Sequence, residues 1–337
     1  MKTLRILFVF LSAAGTAFAD PGHAFSTCAA ITQSVITGSG KWTFKTVPNF
    51  GVVPPDQAPG STHGGIVVDK SGNVYVSTDT KNGILVFKTD GTFVKSMAPE
   101  FAVTHGMTIR EEDGEEFIYL AHLGGHEVAK IKLDGTVVWK IGVPNESGLY
   151  KSPDQYKPTA IAIAPDNSIF IADGYGASVV HKFDAARKYV KTFGGADADE
   201  GRFKTCHGLA IDTRDGAPTL LVCDRANRRI TRWDFDGKFL GVVATGLRLP
   251  CAMSIRGDNI AVAELEGRVA ILGKDNRIAA VLGDNPDTNI RAKNPIPPEQ
   301  WIPGVFTAPH GISWDADGNL YVQDWNRTGR ITKLAKQ

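Results

Sequence analysis

The chain has 337 residues, 42% of them hydrophobic and 22% charged, with a formal charge of +1. A near-neutral chain carries no electrostatic footprint for nucleic acid or an anionic membrane, so neither is expected as a partner. The length suits one large or two small domains.

Residues 1–19 read as a secretory signal peptide. Lys2 and Arg5 form a basic start, residues 6–11 lie in an apolar stretch too short to span a bilayer, and Ala17-Phe18-Ala19 is a small-x-small cleavage site before Asp20. Losing Lys2 and Arg5 turns the charge of +1 into −1. No Cys follows the site, so no lipid anchor is indicated, and the mature chain is expected in a periplasm or outside the cell. In such an oxidising compartment Cys28, Cys206, Cys223 and Cys251 have the chance to pair. A bridge between Cys206 and Cys223 within one hairpin is expected, although four Cys allow three pairings and the spacing does not choose.

After an N-terminal segment, 20–40, residues 41–47 (KWTFKTV) alternate as a strand. A repeat then begins. His63, His105, His207 and His310 open the stretches HGGIVVDKSGNVYVS, HGMTIREEDGEEFIYLA, HGLAIDTRDGAPTLLVC and HGISWDADGNLYVQ. Two further copies start at Pro158-Thr159-Ala160-Ile161 and Pro250-Cys251-Ala252-Met253. Each copy has a short apolar strand, a tight turn such as Asp317-Gly318-Asn319, and a second strand ending in Asp173, Asp224 or Asp324, or in His122 or Glu264 by position. A third strand, a turn such as Asp236-Gly237, and a fourth strand complete the unit. Four antiparallel strands in roughly 40–50 residues describe a β-propeller blade. The expected fold is therefore all-β: one six-bladed propeller over 41–337. The sixth copy stops after its third strand, so strand 41–47 is expected to supply the missing one and close the ring.

Two longer connections, 143–157 and the proline-rich 284–309 with Trp301, lead into inner strands on the face that carries the histidines. Each reads as a pocket wall or as a plain surface loop. In a propeller the inner strands line a central channel, so one position per repeat converges on the axis. Four imidazoles there suit zinc, copper, iron or nickel. Cys206, next to His207, is a lesser sulfur candidate. The ends of the second strands reach the same face and bring His122, Tyr175, Arg225 and Trp325 to the substrate side. A Tyr near a divalent cation can serve as a general base and an Arg can grip a carboxylate through two hydrogen bonds; the alternative is that Tyr175 packs on a loop and Arg225 pairs with a neighbouring acid. Asp173, Asp224 and Asp324 are expected to cap turns, and His126 and His181 fall in third strands away from the axis.

These residues resemble a known family. The blades look like NHL repeats, and the order of features from His63 to Leu334 is similar to the peptidyl-α-hydroxyglycine α-amidating lyase domain. By blade order the resemblance implies a catalytic zinc held by His105, His207 and His310. It implies Tyr175, in Asp173-Gly174-Tyr175, as base and Arg225, in Cys223-Asp224-Arg225, as carboxylate clamp. The reaction implied is cleavage of an N-acylated α-hydroxyglycine, a small-molecule or peptide substrate, to an amide and glyoxylate. The chain also departs from the family. No Arg stands between Arg5 and Arg110, where the family has one, and His63 offers a fourth ligand instead. Gly176 replaces a disulfide Cys, and Gly311 replaces the Asp of a calcium site, which speaks against calcium. Two alternatives remain. One is a four-His metalloenzyme with iron or copper and oxygenase-like chemistry. The other is a non-catalytic NHL propeller that binds peptide, glycan or protein. Oligomeric state is not legible.

Overall fold

A computed structural model describes residues 32–197 and 199–337. The signal peptide and Cys28 lie outside the described residues. Within them, six antiparallel sheets succeed one another along the chain. The inner, channel-side strands of blades 1 to 6 are Ile66–Val68, Thr104–Glu112, Ala160–Ile163, Cys206–Asp212, Pro250–Arg256 and Pro309–Trp314. The second strands are Val74–Ser77, Glu115–His122, Ile169–Asp173, Thr219–Asp224, Asn259–Glu264 and Leu320–Asp324.

The ring closes as expected. Phe44–Thr46 pairs antiparallel with Arg330–Lys336, placing Phe44 opposite Lys336 and Thr46 opposite Leu334, and Ile36–Thr37 adds a fifth strand outside it. The strand is shorter than residues 41–47, because Gly40–Trp42 form a turn of 3₁₀ helix.

Inner strands carry apolar residues on both faces because each blade is sandwiched between two others. Ala162 and Phe170 of blade 3 pack on Leu209, Leu220 and Trp233 of blade 4, and Val269 and Ile271 of blade 5 pack on Ile312 and Trp314 of blade 6. Each fully buried Leu, Ile, Val or Phe contributes about 1.5–3 kcal/mol. Outer strands alternate instead: Val94, Val190 and Leu240 remain exposed.

The acids that end second strands are fully buried anchors. Asp173 accepts from the Lys157 N–H at 2.7 Å, Asp224 from Lys204 at 2.7 Å, Glu264 from Arg248 at 2.8 Å, and Asp324 from Ala308 at 2.6 Å. Each ties the incoming connection to the end of its own blade, so the residue just beyond it is held firmly.

The expected Cys206–Cys223 bridge is absent. Cys206 lies opposite Asp224, not Cys223, and successive residues of a strand face opposite sides of the sheet. Cys206 packs against Phe170 and Trp233 and donates to Val179 O, whereas Cys223 packs against Leu247 and Met253 on the other face. Cys206, Cys223 and Cys251 are all buried free thiols.

Candidate metal centre

His105, His207 and His310 converge on the channel axis with their ligand atoms all within 4.8 Å of one another. They come from alternate blades 2, 4 and 6, and each is 2–3% exposed. The strand register explains the convergence. Met107, Ile161, Leu209 and Ile66 occupy equivalent pairings with their second strands. Two residues before them stand His105, Thr159, His207 and Gly64, and by the same spacing Cys251 and His310 complete the ring.

The imidazoles are oriented by the odd-numbered blades. His105 Nδ1 donates to Thr159 O and His207 Nδ1 to Cys251 O, both at 2.8 Å, and His310 is held against the His63 backbone carbonyl. With the proton on Nδ1, every Nε2 presents a lone pair to the axis. Burial, with the neighbouring imidazoles and Arg225 adding to it, pushes His105 down to about 3 and His207 and His310 well below the usual range, so all three are neutral.

The glycine after each ligand makes this contact possible. A Cβ on Gly106 would lie 2.5 Å from Thr159 O, and one on Gly208 would lie 2.4 Å from Cys251 O, the carbonyls that receive the imidazoles. The His-Gly pair thus lets one blade's backbone approach the next closely enough to fix a ring.

Tyr175 and Arg225 lie at the same centre. The Tyr175 hydroxyl is 3.0 Å from His207 Nε2 and 3.2 Å from His105 Nε2, and it accepts from Arg225 at 3.0 Å. Its single proton satisfies only one of the two lone pairs it faces, and His310 Nε2 has no partner among the described residues. Such an excess of converging, buried acceptor atoms fits a divalent cation. Burial raises the Tyr175 phenol above its ordinary value, with the Arg225 guanidinium opposing.

The other candidates are placed elsewhere. In the register of the ligand position, blade 1 has Gly64; the extra glycine in His63-Gly64-Gly65-Ile66 sets His63 one residue back. Its ring stands 5.9 Å from His105 and 6.4 Å from His310, outside the ligand cluster, and its Nδ1 is bound to Asp79 at 2.7 Å. His122 does not face the cluster. It fills the place of the strand-ending acid, with Nε2 donating to Ala102 O at 2.9 Å and Nδ1 3.2 Å from Glu127. Trp325 is half-buried at the rim, its backbone N–H donating to Ala308 O. Cys206 is turned into the core. Two residues at the site were not singled out by the histidine pattern: Asp79, and Cys251, whose thiol donates to Leu249 O and is pushed up to about 11 by burial, with the Arg225 guanidinium opposing. The spacing Cys251-Ala252-Met253, which matches His207-Gly208-Leu209, was the available signal.

Loop 143–157 reaches the site from behind. Its Tyr150 donates to Asp173, the anchor two residues before Tyr175, and accepts from His181 Nε2 at 2.6 Å, while Thr192 donates to His181 Nδ1 at 2.7 Å. Burial disfavours the charged imidazole of His181 and pushes its pKa down to about 4. The unfolded chain therefore takes up this proton near pH 6.5 and the folded one only near 4, so stability falls as pH drops through that window. The loss approaches about 3 kcal/mol at its acid end. Urea titrations between pH 7 and 4 should show a flatter profile for His181→Gln than for the parent; identical profiles would refute the assignment.

No family model matches the chain. NHL repeat-containing protein 3 from Mus musculus is 26% identical over 187 residues, 52% of this chain and 53% of that protein. A probable peptidyl-alpha-hydroxyglycine alpha-amidating lyase from Caenorhabditis elegans is 30% identical over 136 residues, 39% of this chain and 36% of that protein. The chain thus spans about half the length of the first relative and about a third of the second. Among solved structures, a streptogramin B lyase superposes with a TM-score of 0.58 at 16% identity, covering 83% of this chain and 95% of that one. A gluconolactonase from Xanthomonas campestris gives 0.61 at 13% identity, covering 94% and 99%. At these identities the structural likeness establishes the propeller fold alone.

Proposed function

We propose that this six-bladed β-propeller of the NHL-repeat type is an exported, zinc-dependent lyase that cleaves N-acylated α-hydroxyglycines to an amide and glyoxylate. One observation carries the reading: the Tyr175 hydroxyl sits between two ligand imidazoles and the Arg225 guanidinium. The sequence similarity to an amidating lyase over part of the chain supports it. The export rests on the N-terminal pattern of residues 1–19.

His105, His207 and His310 would hold the cation, leaving an open position, as three-ligand sites do. Bound there, a divalent cation supplies Lewis acidity toward a substrate oxygen and favours the phenolate of Tyr175. Arg225 holds the substrate carboxylate through paired N–H donors. Tyr175 Oη takes the substrate's hydroxyl proton. The O–H electron pair becomes the carbonyl of glyoxylate as the C–N bond breaks, and the departing nitrogen takes that proton from Tyr175 Oη to leave as the amide. Beyond the imidazoles the channel continues between Met107, Leu209 and Ile312.

Purified protein should contain zinc by elemental analysis and release glyoxylate from such substrates. Metal-loaded protein that forms no glyoxylate would sink the lyase reading. Bound iron with oxygen consumption would replace it by the oxygenase-like alternative, and metal-free protein by a binding module.

A further inference from the structure

We propose that His63 and Asp79 form a substrate-contacting pair opposite Arg225. The pair selects molecules with a carboxylate at one end and an amine or other N–H donor at the other. The proposal deepens the reading above and rests on its placement of substrate at the three histidines.

The first support is the pattern of charge around the rim. Asp79 and Arg225 stand at the same register, three residues beyond the equivalently paired Val76 and Val222. The corresponding positions of blades 2, 3, 5 and 6 are Leu123, Gly174, Leu265 and Trp325, so this register is charged only in blades 1 and 4. In a six-bladed ring blades 1 and 4 are diametrically opposed. At this register, therefore, a carboxylate in one blade stands opposite a guanidinium in the blade across the ring.

The second support is the chemistry of His63. Both Asp79 oxygens lie within hydrogen-bond distance of its Nδ1, at 2.7 and 2.6 Å, so Nδ1 is the donor and Nε2 is turned away from Asp79. That Nε2 makes no hydrogen bond among the described residues. The side chains of His63 and Asp79 are 25% and 14% exposed, open to an arriving molecule as the three buried ligands are not. The ring neighbours those of His105 and His310, so whatever lies on the cluster lies beside it. The Asp79 carboxylate behind this ring attracts an N–H or ammonium group and repels a second carboxylate.

The test uses two unreactive ligands of matched length, β-alanylglycine and succinylglycine, titrated calorimetrically into the metal-loaded protein. The first ends in an amine and the second in a carboxylate. β-Alanylglycine should bind at least about tenfold more tightly, the scale of one close charge pair. Asp79→Asn should abolish most of that preference, as should His63→Gln, with metal content unchanged in both. Equal affinities in the parent, or an undiminished preference in Asp79→Asn, would overturn the proposal. Loss of metal in His63→Gln would also overturn it, making His63 a ligand. If the preference is present and no glyoxylate forms from any substrate, the selectivity stands and the lyase reading alone falls.

Discussion

His207→Ala should release the metal while leaving the propeller folded. Two Nε2 atoms, from His105 and His310, remain, and neither Tyr175 nor Arg225 offers an equivalent neutral donor atom. Loss of an outer-shell partner alone typically costs about 10–100-fold in metal affinity, and loss of the ligand itself should exceed that. Equilibrium dialysis with elemental analysis would read the change directly. The thermal signature separates site from scaffold. Without metal, parent and variant should melt within a few degrees of each other, because the lost hydrogen bond to Cys251 O is worth about 0.5–1.5 kcal/mol. With metal at a hundred times its Kd, the parent alone should gain about 2.7 kcal/mol. Retention of parental metal content by His207→Ala would show that the three histidines are not the binding site.

Gly311→Ala should damage the ring itself. A Cβ at Gly311 would stand 1.8 Å from Gly64 O and 2.6 Å from the Gly64 carbonyl carbon, both backbone atoms of blade 1. No rotamer change relieves a clash with a neighbouring backbone, so blades 6 and 1 must move apart. Overpacking of a well-filled core costs about 1–3 kcal/mol, and this contact should lie at or above the upper end. The shift would also loosen His310, whose imidazole rests on the carbonyl of His63, so metal affinity should fall together with the melting temperature. Gly142→Ala is the control: nothing lies within 4 Å of a Cβ there, and its φ is not positive. Equal melting temperatures for parent, Gly311→Ala and Gly142→Ala would refute the close-approach argument.

Much of this molecule was legible from spacing. Six recurrences of strand, Asp/Asn/Gly turn and strand could be read as six blades because a propeller repeats its local pattern with its local geometry. Ring closure followed from a sixth copy lacking a strand and an unpaired alternating segment before the first. The histidines of blades 2, 4 and 6 are brought together by that repetition, and the structure adds Tyr175 and Arg225 at their centre. The strand pairing of Phe44–Thr46 alone, without residues 41–43, was not legible, since the Gly40–Trp42 turn depends on local backbone bonding.

His63 shows where spacing misleads. The motif beginning His63-Gly64 looks like the other three, yet one additional glycine moves the imidazole off the ligand register and onto Asp79. The Cys206–Cys223 pairing failed for a related reason. Cys206 opens one strand and Cys223 stands one residue before the end of its neighbour, and that one-residue offset in register sends their side chains to opposite faces. His122 shares the channel-side strand end with Asp173 and Asp224, and its partners turn it into an anchor.

The sequence by itself determined the blade count, the closure and the residue types near the axis, because these depend on patterns that local strand and turn preferences enforce. Only the tertiary structure decided which of those residues meet. That depends on register to a single residue and on the backbone of the next blade, whose carbonyls orient the imidazoles and whose approach requires glycine after them.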